Sequence, residues 1–188
     1  MRLYILVAIL IAFTASCAAT DKSARTTKKE PVASTYKYIE KREKSKNAVD
    51  RIAIGKTGGL FYYDGNIWAV KEDQGSQIDF VTRRFTNARI FHYPEAVPMT
   101  DIYKKLIESY ALKNPKLVES EFIEVNGEAV IFNKLEGIHN KREISILSYG
   151  FSGKSSTIIV HGFTYKSMLR EETEQEIIDF LNGFDMKG

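Results

Sequence analysis

The chain contains a single cysteine, Cys17, so no disulfide can form within it. None of its three histidines, His92, His139 and His161, has a second histidine or a cysteine at metal-ligand spacing. Gly55-Lys56-Thr57 invites comparison with a phosphate-binding loop, but Asp50 stands where that loop needs its first glycine. Without converging backbone amides there is no cradle for phosphate, and these glycines read as a turn. No Gly-x-Ser-x-Gly elbow is present, and the sole cysteine lies in the N-terminal apolar segment. Glu119 and Glu121 share a strand face, whereas paired-acid chemistry needs carboxylates across a cleft. The sequence therefore presents no catalytic constellation and no cofactor motif.

What is present begins at the N-terminus. Arg2 is followed by an uncharged apolar run over residues 3–13, then by the small residues Thr14, Ala15 and Ser16 before Cys17. A positive start, an apolar middle and a small-residue exit describe a secretory signal. The run is shorter than the roughly 20 apolar residues a spanning helix requires. Thr14-Ala15-Ser16-Cys17 resembles the lipobox of bacterial lipoproteins, with Thr14 in place of the usual leucine. The resemblance implies cleavage between Ser16 and Cys17 and lipidation of Cys17, which becomes the mature N-terminus. One acyl chain anchors only marginally, at about 0.8 kcal/mol per buried methylene, and the two or three chains of this class anchor stably. Ala18 differs from the aspartate that commonly retains such proteins in the inner membrane, which implies the outer membrane, facing the periplasm. An ordinary secretory signal that happens to contain a cysteine is the competing reading.

Charge divides the chain after the signal. Residues 18–47 carry nine basic against four acidic side chains, a net +5, which leaves residues 48–188 at −3 of the overall +3 once Arg2 is counted. The basic balance thus belongs to a Lys-, Ser- and Thr-rich tether, and a nucleic-acid surface on the domain is disfavoured. Such a tether of about 30 residues reaches on the order of 30 Å. The organisation expected is a signal over 1–16, a lipidated N-terminus and basic tether over 17–47, and one globular domain over 48–188. A hydrophobic fraction of 44% and an aromatic fraction of 12% suffice for a core in a domain of that size.

Within the domain, alternation and turn residues give a chain of strands. Residues 60–63 and 67–70 flank Asp64-Gly65-Asn66 as a hairpin. Strands are expected over 77–85 and 89–93 with Asn87-Ala88 as the turn between them. A helix follows Pro98, with Ile102, Tyr103, Leu106, Ile107 and Tyr110 on one face, and Asn114-Pro115 ends it. Strands over 116–125 and 128–135 flank Asn126-Gly127, both of which tolerate positive φ. Strands over 143–151 and 157–165 follow, and the continuous apolar runs of residues 129–132 and 158–160 suit strands buried on both faces. A last helix over 171–184 opens on Glu171, Glu172 and Glu174, with Thr173 and Glu176 at capping-box spacing and Ile177, Ile178, Leu181 and Phe184 as its stripe. The sum is about six or seven strands and two helices, an α+β class with a largely antiparallel sheet covered by helices.

That order of elements, ending in Glu176-Ile-Ile-Asp-Phe-Leu-Asn-Gly-Phe184, resembles the Mog1/PsbP-like α/β/α sandwich, including the DcrB-type bacterial lipoproteins. The resemblance spans residues 51–184 and implies a non-catalytic binding or assembly role, with no functional residue to carry over. Aromatic residues are the other lead. Phe61, Tyr62, Tyr63 and Trp68 crowd neighbouring strands, and alternation turns some outward unless both faces are covered. Tyr62, Tyr63 and Trp68 are candidates for a binding surface, against packing beneath a helix. The function expected is a lipid-anchored envelope protein, attached to the membrane by its N-terminal lipid, that binds a protein partner in envelope assembly or maintenance. A small-ligand or glycan module using the aromatic surface is the alternative, and an enzyme the third reading.

Overall fold

The computed structural model describes residues 40–57, 59–84 and 86–186. The expectations for residues 1–39, including Ser16 and Cys17, lie outside the described residues, as does Phe85 at the end of its expected strand. The elements are β1 (Lys41–Arg42), β2 (Asp50–Ala53), β3 (Leu60–Tyr63), β4 (Trp68–Asp73), β5 (Gln77–Thr82), β6 (Asn87–Tyr93), α1 (Ile102–Ser109), β7 (Lys113–Val125), β8 (Glu128–His139), β9 (Arg142–Ser152), β10 (Thr157–Tyr165), α2 (Glu171–Leu181) and β11 (Phe184–Asp185). Eleven strands among the described residues replace the six or seven expected; two of the additional ones, β1 and β11, span two residues each and carry no periodicity to read.

One sheet has the order β1-β7-β8-β9-β10-β6-β5-β4 and a second the order β11-β3-β2. Among the strand pairs, β1 against β7 is parallel and the others are antiparallel. The class is α+β with a largely antiparallel sheet. β8, β9 and β10 lie at its centre and are buried on both faces, as the unbroken apolar runs 129–132 of β8 and 158–160 of β10 imply. Asn126 and Gly127 take φ of 51° and 83° in the β7–β8 turn, as expected of Asn-Gly.

The two helices occupy opposite faces of this sheet. On one, Ile102 and Leu106 of α1 pack with Ile131, Leu135, Ile146 and Ile159. On the other, Ile177, Phe180 and Leu181 of α2 pack with Phe80, Val130, Leu147 and Val160. A glycine admits each helix to the sheet. A Cβ on Gly150 would stand 2.6 Å from Ile102, and one on Gly162 would overlap Ile177. Helical cover is incomplete: on the α1 side Gln77, Asp79, Val81, Arg89 and Phe91 are half-exposed, while the opposite faces of β5 and β6 bury Ile78, Phe80, Ala88 and Ile90.

Several local expectations are corrected. The Asp64–Ile67 turn forms, with Ile67 N donating to Asp64 O at 3.0 Å, but β3 and β4 do not pair. β3 joins β2 and β11, with Phe61 opposite Phe184, while β4 joins β5. The turn carries the chain between sheets because Phe61 and Trp68 both seek the core beside Phe180. Asn87 and Ala88 belong to β6, opposite Phe163 and Gly162. Asn114-Pro115 does not end a helix. α1 stops at Ser109 and Pro115 falls at a register shift in β7, where a missing N–H costs little. The capping box is also absent: α2 is capped at Arg170 without a side-chain bond, which puts Thr173 inside the helix. Residues 40–47, read as tether, lie on the folded unit through Lys41 and Arg42, paired with Glu124 and Val125.

Candidate functional site

The open ground of the domain lies at the end of the sheet where β8 turns into β9. His139 pairs with Arg142 across a two-residue turn, and Asn140 and Lys141 both take positive φ, 49° and 65°. This is the geometry of the Asn126-Gly127 turn with lysine where glycine is favoured. Lys141 therefore occupies a left-handed position that costs an L-residue about 1–2 kcal/mol.

Two adjoining clefts share His139 and Asn140. The larger, about 670 Å³, has an apolar side of Ile144, Phe163, Tyr165 and Met168, with Arg142 at its rim. The smaller, about 510 Å³, runs past Tyr110 to Lys113 and Lys141. Tyr165 and Met168, 39% and 40% exposed, both line the larger cleft. The Arg142 guanidinium stands 4.9 Å from the centre of the Tyr165 ring, a cation–π distance. β9 and β10 impose this meeting, because their register puts Ile144 opposite Tyr165.

The hairpin tip is fastened to the end of α1 by Tyr110. His139 Nδ1 donates to the Tyr110 carbonyl at 2.6 Å and its Nε2 accepts from Asn140 Nδ2 at 2.9 Å. The Tyr110 hydroxyl lies 2.7 Å from Nε2 of His161, which is fully buried on β10. Burial, with the Arg89 charge beside it, pushes His161 down to about 3, so the ring is neutral at ordinary pH. Burial likewise raises the Tyr110 phenol well above its usual value. Arg89 itself is held by Asp79, from both Nε and Nη2, on the half-exposed face of β5 and β6. The arrangement is a hydrogen-bonded support with a cationic rim and an apolar wall.

The sequence-derived candidates fall elsewhere. Trp68 is 3% exposed and its ring centroid lies 4.3 Å from that of Phe180. Tyr63 meets Phe80 edge-on at 5.2 Å, and Tyr62 lies under Lys44, whose Nζ is 3.4 Å from the ring centre. The structure brings these residues together around the second sheet, with Trp68 in the core beneath α2. Beside Trp68 a cavity of about 280 Å³ is bordered by Asp64, Glu172, Glu176 and Asp179. Burial raises the Glu176 carboxyl there against the opposing pull of Arg84. His92 sits next to Gly55, away from the His139–Tyr110–His161 chain. Among the described residues no group of three His, Cys, Asp or Glu side chains is placed to hold a metal ion. The sequence reading missed Lys141, Arg142, Tyr165 and Met168. An asparagine followed by a polar residue between two long apolar runs is the signal that marks the turn.

No protein-family model matches the chain, and no curated protein sequence matches it. Solved structures with a related trace include cyanobacterial PsbP (CyanoP) from Synechocystis sp. PCC 6803, at 14% identity over 74% of this chain and 93% of that one, TM-score 0.49. A crystal structure from Bacteroides thetaiotaomicron VPI-5482 is 14% identical over 68% of this chain and 46% of its own length, TM-score 0.44. PA94 from Pseudomonas aeruginosa, a protein of unknown function, is 14% identical over 67% of this chain and 89% of that one, TM-score 0.44.

Proposed function

We propose that the chain is a lipid-anchored cell-envelope protein, without catalytic activity of its own, whose domain binds a protein partner at the β8–β9 end of the sheet. The observation that carries the reading is the exposed pair Tyr165 and Met168 beside an open cleft on a fixed scaffold. Large exposed apolar groups rimmed by polar ones mark interaction sites. The lipobox resemblance of Thr14-Ala15-Ser16-Cys17 supports the anchor, and Ala18 in place of the retaining aspartate supports the outer membrane, facing the periplasm. The same proposal includes the family, a Mog1/PsbP-like sandwich of the DcrB type, supported by a helix after β6, long β7–β8 and β9–β10 hairpins and a terminal α2.

A small-ligand site is the second reading, favoured by the volume of the larger cleft, which falls within the roughly 300–1,000 Å³ of such pockets. Photo-crosslinking in cells separates the two. A photoreactive residue at Met168 of the full chain gives a discrete protein adduct under the partner reading, and one at Val70 on the β4 edge gives none. Absence of any adduct at Met168 defeats the partner reading. Acyl labelling that persists in Cys17→Ser defeats the anchor.

A further inference from the structure

The two clefts share His139 and Asn140, and their charge is of one sign. Lys113, Lys141 and Arg142 line them, and no carboxylate does. Among the described residues none of these three cations forms an ion pair, while Lys134 and Lys166 nearby are taken up by Glu174 and Glu136. The nearest acid in sequence, Glu143, lines a separate depression that it shares with Arg142 and Tyr165. The balance runs against the rest of the domain, since residues 48–188 carry a net −3. A cationic groove on an acidic body focuses potential locally and attracts acidic groups to one place.

Resting on the partner reading above, we propose that the groove takes an extended, acidic peptide segment of the partner, with carboxylates on Lys113, Lys141 and Arg142 and an apolar side chain against Tyr165 and Met168. The groove's form favours such a ligand over a flat surface. Its lining runs from Lys113 past His139 and Asn140 to Tyr165 and Met168, so cations and apolar groups stand along one lining. Lys141 fits the proposal in a second way. At φ of 65° glycine would serve the turn better, and what lysine adds there is a charge.

The test uses the full chain in detergent and a fluorescent peptide of alternating glutamate and leucine, with its glutamine counterpart as control. The acidic peptide binds and the glutamine peptide does not. Lys141→Gln with Arg142→Gln weakens binding about tenfold at low salt, as two rim charges warrant. Tyr165→Ser weakens it by a similar factor. Lys28→Gln with Lys29→Gln in the tether leaves it unchanged, and circular dichroism confirms that each variant folds. Equal binding of the two peptides, or binding lost with the tether lysines and kept by the groove variants, overturns the proposal. So does binding of anionic vesicles that depends on Lys141 and Arg142 while the peptide fails to bind. A Met168 adduct in cells together with peptide failure rejects the acidic segment and leaves the partner reading standing, which keeps the two failures distinct.

Discussion

Replacing Lys141 by glycine should make the domain more stable and its groove weaker. The turn holds Asn140 and Lys141 at φ of 49° and 65°. The left-handed conformation costs lysine about 1–2 kcal/mol, and glycine has no such cost. Glycine enlarges the entropy of the unfolded chain, which takes back about 0.4–1 kcal/mol. The net expectation is a gain of about 0.5–1 kcal/mol. For a domain of this size that raises Tm by about 1–4 °C. Urea unfolding followed by circular dichroism measures the gain directly, with an unchanged m-value showing that the native fold is kept. Ala111→Gly is the internal standard. Ala111 ends α1 at φ of 45°, with its N–H on Glu108 O and Leu112 N–H on Ile107 O, the bonds of a Schellman cap. It should gain a similar amount without removing a charge. If Ala111→Gly stabilises and Lys141→Gly destabilises, the Lys141 side chain supports the fold, and the argument that it is present for recognition is refuted.

Other substitutions probe the frame that carries the groove. Arg42 donates to Tyr149 Oη at 2.7 Å, and that hydroxyl donates to Asn182 Oδ1 at 2.9 Å. Arg42→Met should cost about 1.5–3 kcal/mol in chemical denaturation by removing a charge-assisted bond from a buried phenol; no loss would mean that β1 is not fastened to the core. His161 binds a proton in the unfolded chain near its ordinary 6.5 and in the folded chain only near about 3. Between those values the unfolded state holds more protons, so stability falls as pH falls, by up to about 1.4 kcal/mol per pH unit from this group. Urea titrations from pH 7 to 4 should show that slope, and His161→Gln should flatten it. Gly162→Ala should destabilise by about 1–3 kcal/mol in urea unfolding because its Cβ meets Cγ2 of Ile177 on α2, and an unchanged midpoint would mean that the helix is not held that close to the sheet.

The elements that could be read from the sequence are those whose signal is local. Asn126-Gly127 specifies its turn through the dihedrals it tolerates, and the runs in β8 and β10 announce burial on both faces because they do not alternate. The face of α1 is written in the spacing of Ile102 and Leu106. Pairing over long separations is not written anywhere local. Phe61 opposite Phe184 joins β3 to the end of the domain, and nothing near Asp64-Gly65-Asn66 reveals that the chain changes sheets there. The aromatic cluster was visible but its exposure was not, since Trp68 is buried by Phe180 of a helix more than a hundred residues away. The groove was hidden for the same reason. Arg142 meets Tyr165 through register, His139 meets Tyr110 through the end of α1, and Lys141 stands in a turn without the glycine that would have flagged it.

The central claim is that the cationic end of the sheet is where an envelope partner is held. It is tested most directly by the yield of the Met168 photo-adduct in cells, compared between the unaltered chain and one carrying Lys141→Glu with Arg142→Glu at equal membrane level. The account predicts a discrete adduct that disappears when the two charges are reversed. An adduct of the same size and yield after reversal would contradict it.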